Sequence, residues 1–337
     1  MKGYKQMMFW LVGFFITLPL IGILYQIIST KLDQKKYPPP GFIVDIGGYC
    51  IHLNCEGLES PTVLLDAGMR SNSLEWSLVQ PKIAEFARVC SFDRAGTGWS
   101  EKSPLERTSF NIVTELHSAL QKANIRGPYI VVGHSFGGLN MHLFAKMYPE
   151  EVVGVILVDS ASENYDKLLK PNFNLTWMKL STQFGLSRLL SYFPNARKSL
   201  KSFPKLIQDE YLSFDVTTQS MNTAIEEFLL FDQSAQQLRQ IGSQFEDIPL
   251  TIITARVREF WEGVGFTHEE SSKMFNEFET LQTELLSRSN HSKQIFANNS
   301  DHMIPRTEPQ IIVDAVYEQV QAFQKDHKIS IQENGDF

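Results

Sequence analysis

The decapeptide Tyr129–Gly138, reading Tyr-Ile-Val-Val-Gly-His-Ser-Phe-Gly-Gly, restricts the fold of this chain more than any other stretch. Ile130, Val131 and Val132 make a short β-branched run suited to a strand buried on both faces. Beyond Gly138 the apolar residues Leu139, Met141, Leu143, Phe144 and Met147 recur at helical spacing. Between them lies Gly133-x-Ser135-x-Gly137, the pattern of a nucleophile elbow. A strand that turns this sharply into a helix strains the serine backbone, and side chains two residues to either side would collide. The outcome is a hydroxyl raised above the sheet edge with a helix N-terminus behind it. The competing reading is a glycine-rich turn with a surface serine; the flanking strand and helix favour the elbow.

Other short apolar runs fit the same sheet: Pro61–Asp66, Arg88–Phe92, Val152–Val158, Ile248–Thr254 and Lys293–Ala297. Helical patterns over Ser77–Ala87, Phe110–Ala123, His268–Ser289 and Glu308–Phe323 alternate with them. This rhythm predicts an α/β fold with a mainly parallel sheet covered on both faces. Phe42–Ile46 and Tyr49–Cys55 flank Gly47-Gly48 as a hairpin. From 163 to 246 the strand signals stop and aromatic and aliphatic residues recur at helical spacing, which predicts an inserted helical cap. The core is thus expected in two parts, 42–162 and 247–326, with a frayed polar tail over 327–337.

Residues 6–30 carry no charge, and Met7–Ile28 is nearly all apolar, long enough to span a hydrocarbon core of about 30 Å as a helix. A cleaved signal peptide would have a shorter apolar region ending in small residues, and Ser29-Thr30-Lys31-Leu32 offers no such site. A retained anchor over 1–30 is expected, with the domain outside the cytoplasm. Residues 31–41, ending Tyr37-Pro38-Pro39-Pro40-Gly41, read as a stiff polyproline spacer. The net charge of −7 and the lack of a basic cluster in the body argue against nucleic acid as a partner. Cys50 and Cys55 lie an odd number apart on one strand and should not pair; no disulfide framework or metal-ligand spacing is expected, and all three cysteines read as buried small residues.

Ser135 needs a base, and His302 follows the last strand, where the order nucleophile, acid, histidine requires one. His291, before that strand, is the rival and reads as a solvated loop residue. For the acid two candidates stay open. After the strand Ile248–Thr254, Ala255-Arg256-Val257-Arg258 offers no aspartate, so Glu259 could serve with a small shift; alternatively Asp159, ending the preceding core strand, could reach the same ring. The Asp159 reading is slightly favoured.

The elbow, the loop Phe92-Asp93-Arg94-Ala95-Gly96-Thr97-Gly98-Trp99-Ser100 and Ser300-Asp301-His302 together make the chain from Gly41 to about Phe323 resemble the α/β-hydrolases. It is most similar to the capped subgroup of esterases and prolyl-iminopeptidase-like enzymes, and to membrane-anchored bacterial members with a Tyr-Pro-Pro-Pro-Gly linker. The resemblance implies an eight-stranded sheet and an oxyanion hole formed by the backbone amides of Phe136 and Met69. It implies Ala67-Gly68 where relatives carry His-Gly, and Asp301 where they carry glycine. It also places His134 against the sheet or loop. The expected activity is hydrolysis of a carboxylic ester, or less readily an amide, through an acyl-enzyme, on a hydrophobic small-molecule or lipid-like substrate. No metal or organic cofactor is implied. The alternative from another class is a hydrolase-fold protein that only binds a ligand or partner.

Overall fold

The computed structural model describes residues 2–165, 174–258 and 267–334. Eight strands form one sheet: β1 (Phe42–Asp45), β2 (Cys50–Glu56), β3 (Thr62–Asp66), β4 (Arg88–Phe92), β5 (Tyr129–His134), β6 (Val152–Val158), β7 (Leu250–Ala255) and β8 (Ser292–Ala297). Their order is β1-β2-β4-β3-β5-β6-β7-β8. β1 with β2 and β2 with β4 run antiparallel, and every later pair is parallel.

The period of two along each strand divides its side chains between two cores. Leu64, Val131 and Ile252 join α3 (Ser109–Lys122), α4 (Phe136–Met147) and α9 (Phe231–Ile241) on one face. Val63, Leu65, Ile130, Val132 and Ile253 pack on the other face against a short helix, α2 (Gln80–Ile83), and a closing helix, α12 (Pro309–Asn334). Thus the all-apolar strand runs seen in the sequence are the strands covered by helices on both sides.

Between β6 and β7 the described chain is helical: α5 (Leu175–Gln183), α6 (Leu186–Ser191), α7 (Lys205–Asp215), α8 (Thr218–Leu229) and α9. After β7 comes α10 (His268–Glu284), opened by a capping box between Thr267 and Glu270. A single turn, α11 (Ile304–Thr307), separates β8 from α12.

Several expectations need correction. The helix expected over Ser77–Ala87 is shorter, because a 3₁₀ turn over Ser73–Trp76 precedes α2. The spacer expected over 31–41 is helical as far as Lys36, since α1 (Lys2–Lys36) continues through it. Two contacts account for this. Buried Arg188 bonds Gln26, Thr30 and Asp33 of α1, and Tyr37 is buried with Leu74, Phe203 and Phe214. The tail expected to fray is helical to Asn334, as the continuation of α12. Cys55 and Cys90 stand opposite each other on β2 and β4 and form a disulfide, while Cys50 stays free. The spacing argument compared residues on one strand and missed the neighbour across the ladder. Among the described residues no helix is long and apolar enough to cross a membrane.

Candidate active site

The elbow is built by close approach of backbone to backbone. A Cβ at Gly133 would stand 2.3 Å from the Gly137 carbonyl oxygen, and one at Gly137 would stand 2.3 Å from that of Asp66. Neither position admits a side chain. Ser135 pays for the turn with φ 53° and ψ −120°, a conformation L-residues rarely hold. The surroundings fix it there: its amide donates to the Val158 carbonyl at 3.1 Å, and its carbonyl accepts from Ala161 at 2.9 Å.

Ser135, His302 and Asp159 come from three separate parts of the chain and meet in one line. The Ser135 Oγ lies 3.0 Å from His302 Nε2, and His302 Nδ1 lies 2.6 Å from Asp159 Oδ2. Asp159 caps β6 at φ 40°, and its other oxygen accepts from the Ala255 amide at 2.9 Å. The carboxylate is therefore held from the ends of β6 and β7 at once. A carboxylate that accepts from Nδ1–H leaves Nε2 as the acceptor facing the hydroxyl. Such an arrangement can draw a proton from the serine and hold the resulting imidazolium. Glu259 lies outside the described residues. His291 is exposed near Asp247, at the far end of β8 from His302.

Gly68 lies against the elbow: a Cβ placed on it would be 3.4 Å from that of Ser135. Met69, the next residue, is partly buried against the core, and Phe136 opens α4, whose first amides have no carbonyl partner within the helix. Both amides expected to serve an oxyanion thus sit on the segments that border Ser135. Asp66 and Arg70 pair with neighbours and not with each other: Asp66 with Arg94 at 2.6 Å, Arg70 with Asp215 at 3.0 Å.

Two buried ion clusters hold this loop. Arg94 donates to Asp66, to the carbonyls of Ala67 and Gly68 at 2.7 and 2.8 Å, and to Glu227 of α8 at 2.7 Å. Burial alone would lower the pKa of its guanidinium, but Glu227 and Asp66 raise it further above the usual range. The second cluster centres on His134. Its Nε2 lies 2.8 Å from the His302 carbonyl oxygen and its Nδ1 lies 2.8 Å from Glu75 Oε1. A carbonyl on one side and a carboxylate on the other favour the ring that donates from both nitrogens, the imidazolium. Burial opposes that charge, yet Glu75 beside it raises the pKa of His134. Burial would also raise the Glu75 carboxyl, but His134 and Arg306 hold it down at about 2. Glu75 Oε1 also accepts the Gly68 amide at 3.1 Å. One carboxylate therefore ties the Gly68 loop to the histidine that holds the backbone carbonyl of His302. The histidine inside the elbow was the available signal; its partner, 59 residues upstream, was not legible in the sequence.

Aromatic rings pack around these groups. The Phe136 ring lies 5.6 Å from the Arg94 guanidinium and 6.0 Å from Phe231 of α9, while Phe278 meets His302 edge-on at 5.9 Å.

Comparison with known proteins matches residues 61–314 to a family model described as alpha/beta hydrolase fold. The uncharacterized protein YqjL of Bacillus subtilis is 24% identical over 263 residues, covering 78% of this chain and 85% of that one. Among solved structures, the epoxide hydrolase CorEH superposes with a TM-score of 0.62 at 16% identity, over 84% of this chain and 98% of its own. The enol-lactonase of Burkholderia xenovorans LB400 gives a TM-score of 0.57 at 14% identity, over 83% of this chain and all of its own. At such identities these structures establish the fold alone.

Proposed function

We propose, from the premise that this chain belongs to the alpha/beta hydrolase fold family, that it is a serine hydrolase acting on carboxylic esters of apolar acids or alcohols. The observation that carries this reading is the continuous line from Ser135 through His302 to Asp159, with gaps of 3.0 and 2.6 Å. Ser135 Oγ attacks the ester carbonyl carbon as its proton passes to His302 Nε2. Negative charge then builds on the former carbonyl oxygen, where the amides of Phe136 and Met69 are the proposed donors. The N-terminus of α4 adds its dipole at the same place. When the tetrahedral intermediate collapses, the alcohol leaves with the proton from His302, and Ser135 keeps the acyl group. Water, deprotonated by the same ring, returns the serine and releases the acid.

The neighbouring epoxide hydrolase shares the fold, but the elbow residue here is a hydroxyl, which favours acyl transfer. Phe278 stands beside His302, and the aromatic and aliphatic residues of the helical insertion favour an apolar substrate. A helical cap over the elbow supports placement in the capped esterase or aminopeptidase-like subgroup. A fluorophosphonate probe should label the folded full chain and fail to label Ser135→Ala. Equal labelling of both, or of neither, removes this reading.

We further propose that α1 anchors the domain in a membrane. The support is the stretch 6–30, which carries no charged side chain. On it Phe9, Trp10 and Ile21 are more than 60% exposed. Such side chains in water would form an apolar surface with no partner. The Cys55–Cys90 disulfide supports a location outside the cytoplasm, because such bonds persist in oxidising compartments.

A further inference from the structure

The cap carries a second apolar surface that hydrolysis does not use. On α5 and α6 and just beyond them, Trp177, Leu190, Tyr192 and Phe193 are each 55–61% exposed, with Leu180 and Leu189 beside them. This surface adjoins α1. The Gly22 backbone lies so close to α5 that a Cβ there would meet the Phe184 carbonyl oxygen at 2.3 Å. The Tyr25 and Tyr192 hydroxyls are 3.4 Å apart, and Arg188 of α6 holds Gln26 of α1 at 2.9 Å. Along α1 the exposed side chains Leu24, Ile27 and Ile28 continue the same apolar character.

Charge follows the same pattern. The chain is acidic overall, with a net charge of −7, yet no aspartate or glutamate occurs between Asp166 and Asp209. Within it Arg188 and Arg197 pair with Asp33 and Asp209, while Lys179, Lys198, Lys201 and Lys205 are exposed on the segments that carry the apolar side chains or follow them. Apolar side chains with tyrosine and tryptophan, bordered by lysines, are the chemistry of a surface that meets anionic lipid headgroups.

Length points the same way. Because α1 touches the cap from Gly22 onward, the uncharged segment free to enter lipid runs from Gln6 to Ile21. At 1.5 Å per residue it reaches about 24 Å, short of a hydrocarbon core of about 30 Å. The shortfall of roughly 6 Å is the depth to which interfacial helices sink.

We propose that the α5–α6 face of the cap is a second membrane-contacting surface, lying in the headgroup layer of an anionic bilayer beside the point where α1 enters it. This rests on the anchor reading of α1. The face makes up the missing reach of α1, and the Arg188 clamp keeps the two at a common depth.

Tryptophan quenching tests this on the full chain. The protein is reconstituted in phosphatidylcholine–phosphatidylglycerol vesicles whose acyl chains are brominated either near the headgroup or at mid-depth. Trp177 emission is obtained by difference from Trp177→Phe, and Trp10 emission from Trp10→Phe. The expected result is a roughly twofold or greater loss of Trp177 emission with the shallow bromines. That loss should be smaller in zwitterionic vesicles. It should disappear in a Leu190→Gln/Phe193→Gln variant that still turns over a water-soluble ester and still shows Trp10 quenched. If Trp10 is quenched and Trp177 is not, the cap proposal falls and the anchor stands. If neither is quenched, both fall. If Trp177 is unquenched and the protein forms dimers that the same double substitution dissolves, the face belongs to a second copy and the proposal is overturned. Turnover of the soluble ester reports the hydrolase reading separately in every case.

Discussion

Asp159 shows how much one residue carries. Its strained φ of 40° turns one oxygen to His302 and the other to the Ala255 amide. Asp159→Asn keeps the shape but removes the charge that stabilises an imidazolium, so kcat should fall by about 10²-fold or more. Glu259→Gln should leave kcat within about twofold; steady-state kinetics on one ester separate the two, and the reverse ranking would make Glu259 the acid. Glu75 sets a pH dependence. Its carboxyl is held down at about 2 from an ordinary 4.5, so its stabilisation is complete above about 4.5 and is lost as pH falls through about 2. His134 is raised above 6.5, so its share is complete below 6.5 and is lost as pH climbs through the raised value. Glu75→Gln should therefore cost most between pH 4.5 and 6.5, about 3–5 kcal/mol for a buried imidazolium left without its counter-charge. Urea unfolding of both proteins across pH measures it. A penalty independent of pH would mean that the pair is not ionised.

At the scale of elements, the hairpin and the elbow make separate claims on stability. The disulfide ties β2 to β4 across 35 residues, a loop whose closure in the unfolded chain is worth about 3–4 kcal/mol. Cys55→Ser, or reduction of the native protein, should lower the unfolding free energy by about that amount while leaving the remote Ser135 line active on ester. Thermal melts with and without reductant, read beside turnover, check both halves. The elbow has no such tolerance. Gly137→Ala would drive a methyl into the Asp66 carbonyl at 2.3 Å, so it should abolish the fold or displace Ser135. Circular dichroism together with probe labelling would show which. The strands and helices themselves were readable because alternation and 3.6-residue spacing are local properties. Boundaries shifted where a distant contact intervened: α1 outran its expected end because Arg188 and the pocket around Tyr37 lie far along the chain.

Across the whole molecule, a catalytic domain and an apolar helix are joined through the cap. If α1 is the anchor, the full chain should sediment with membranes in carbonate and be released only by detergent. Release by carbonate alone would refute it. Residue types and order along the chain were enough to single out the elbow serine, the late histidine and a helical insertion, because each leaves a local mark: glycines at fixed spacing, a polar residue at the end of an apolar run, a change of period. They favoured Asp159 over Glu259 only slightly, and they could not bring Asp159 against His302, pair Cys55 with Cys90, or find Glu75 beneath His134. Those depend on which strand ends become neighbours in space. That is decided only when the sheet order β4-β3-β5-β6-β7-β8 brings together residues that lie tens or hundreds of positions apart.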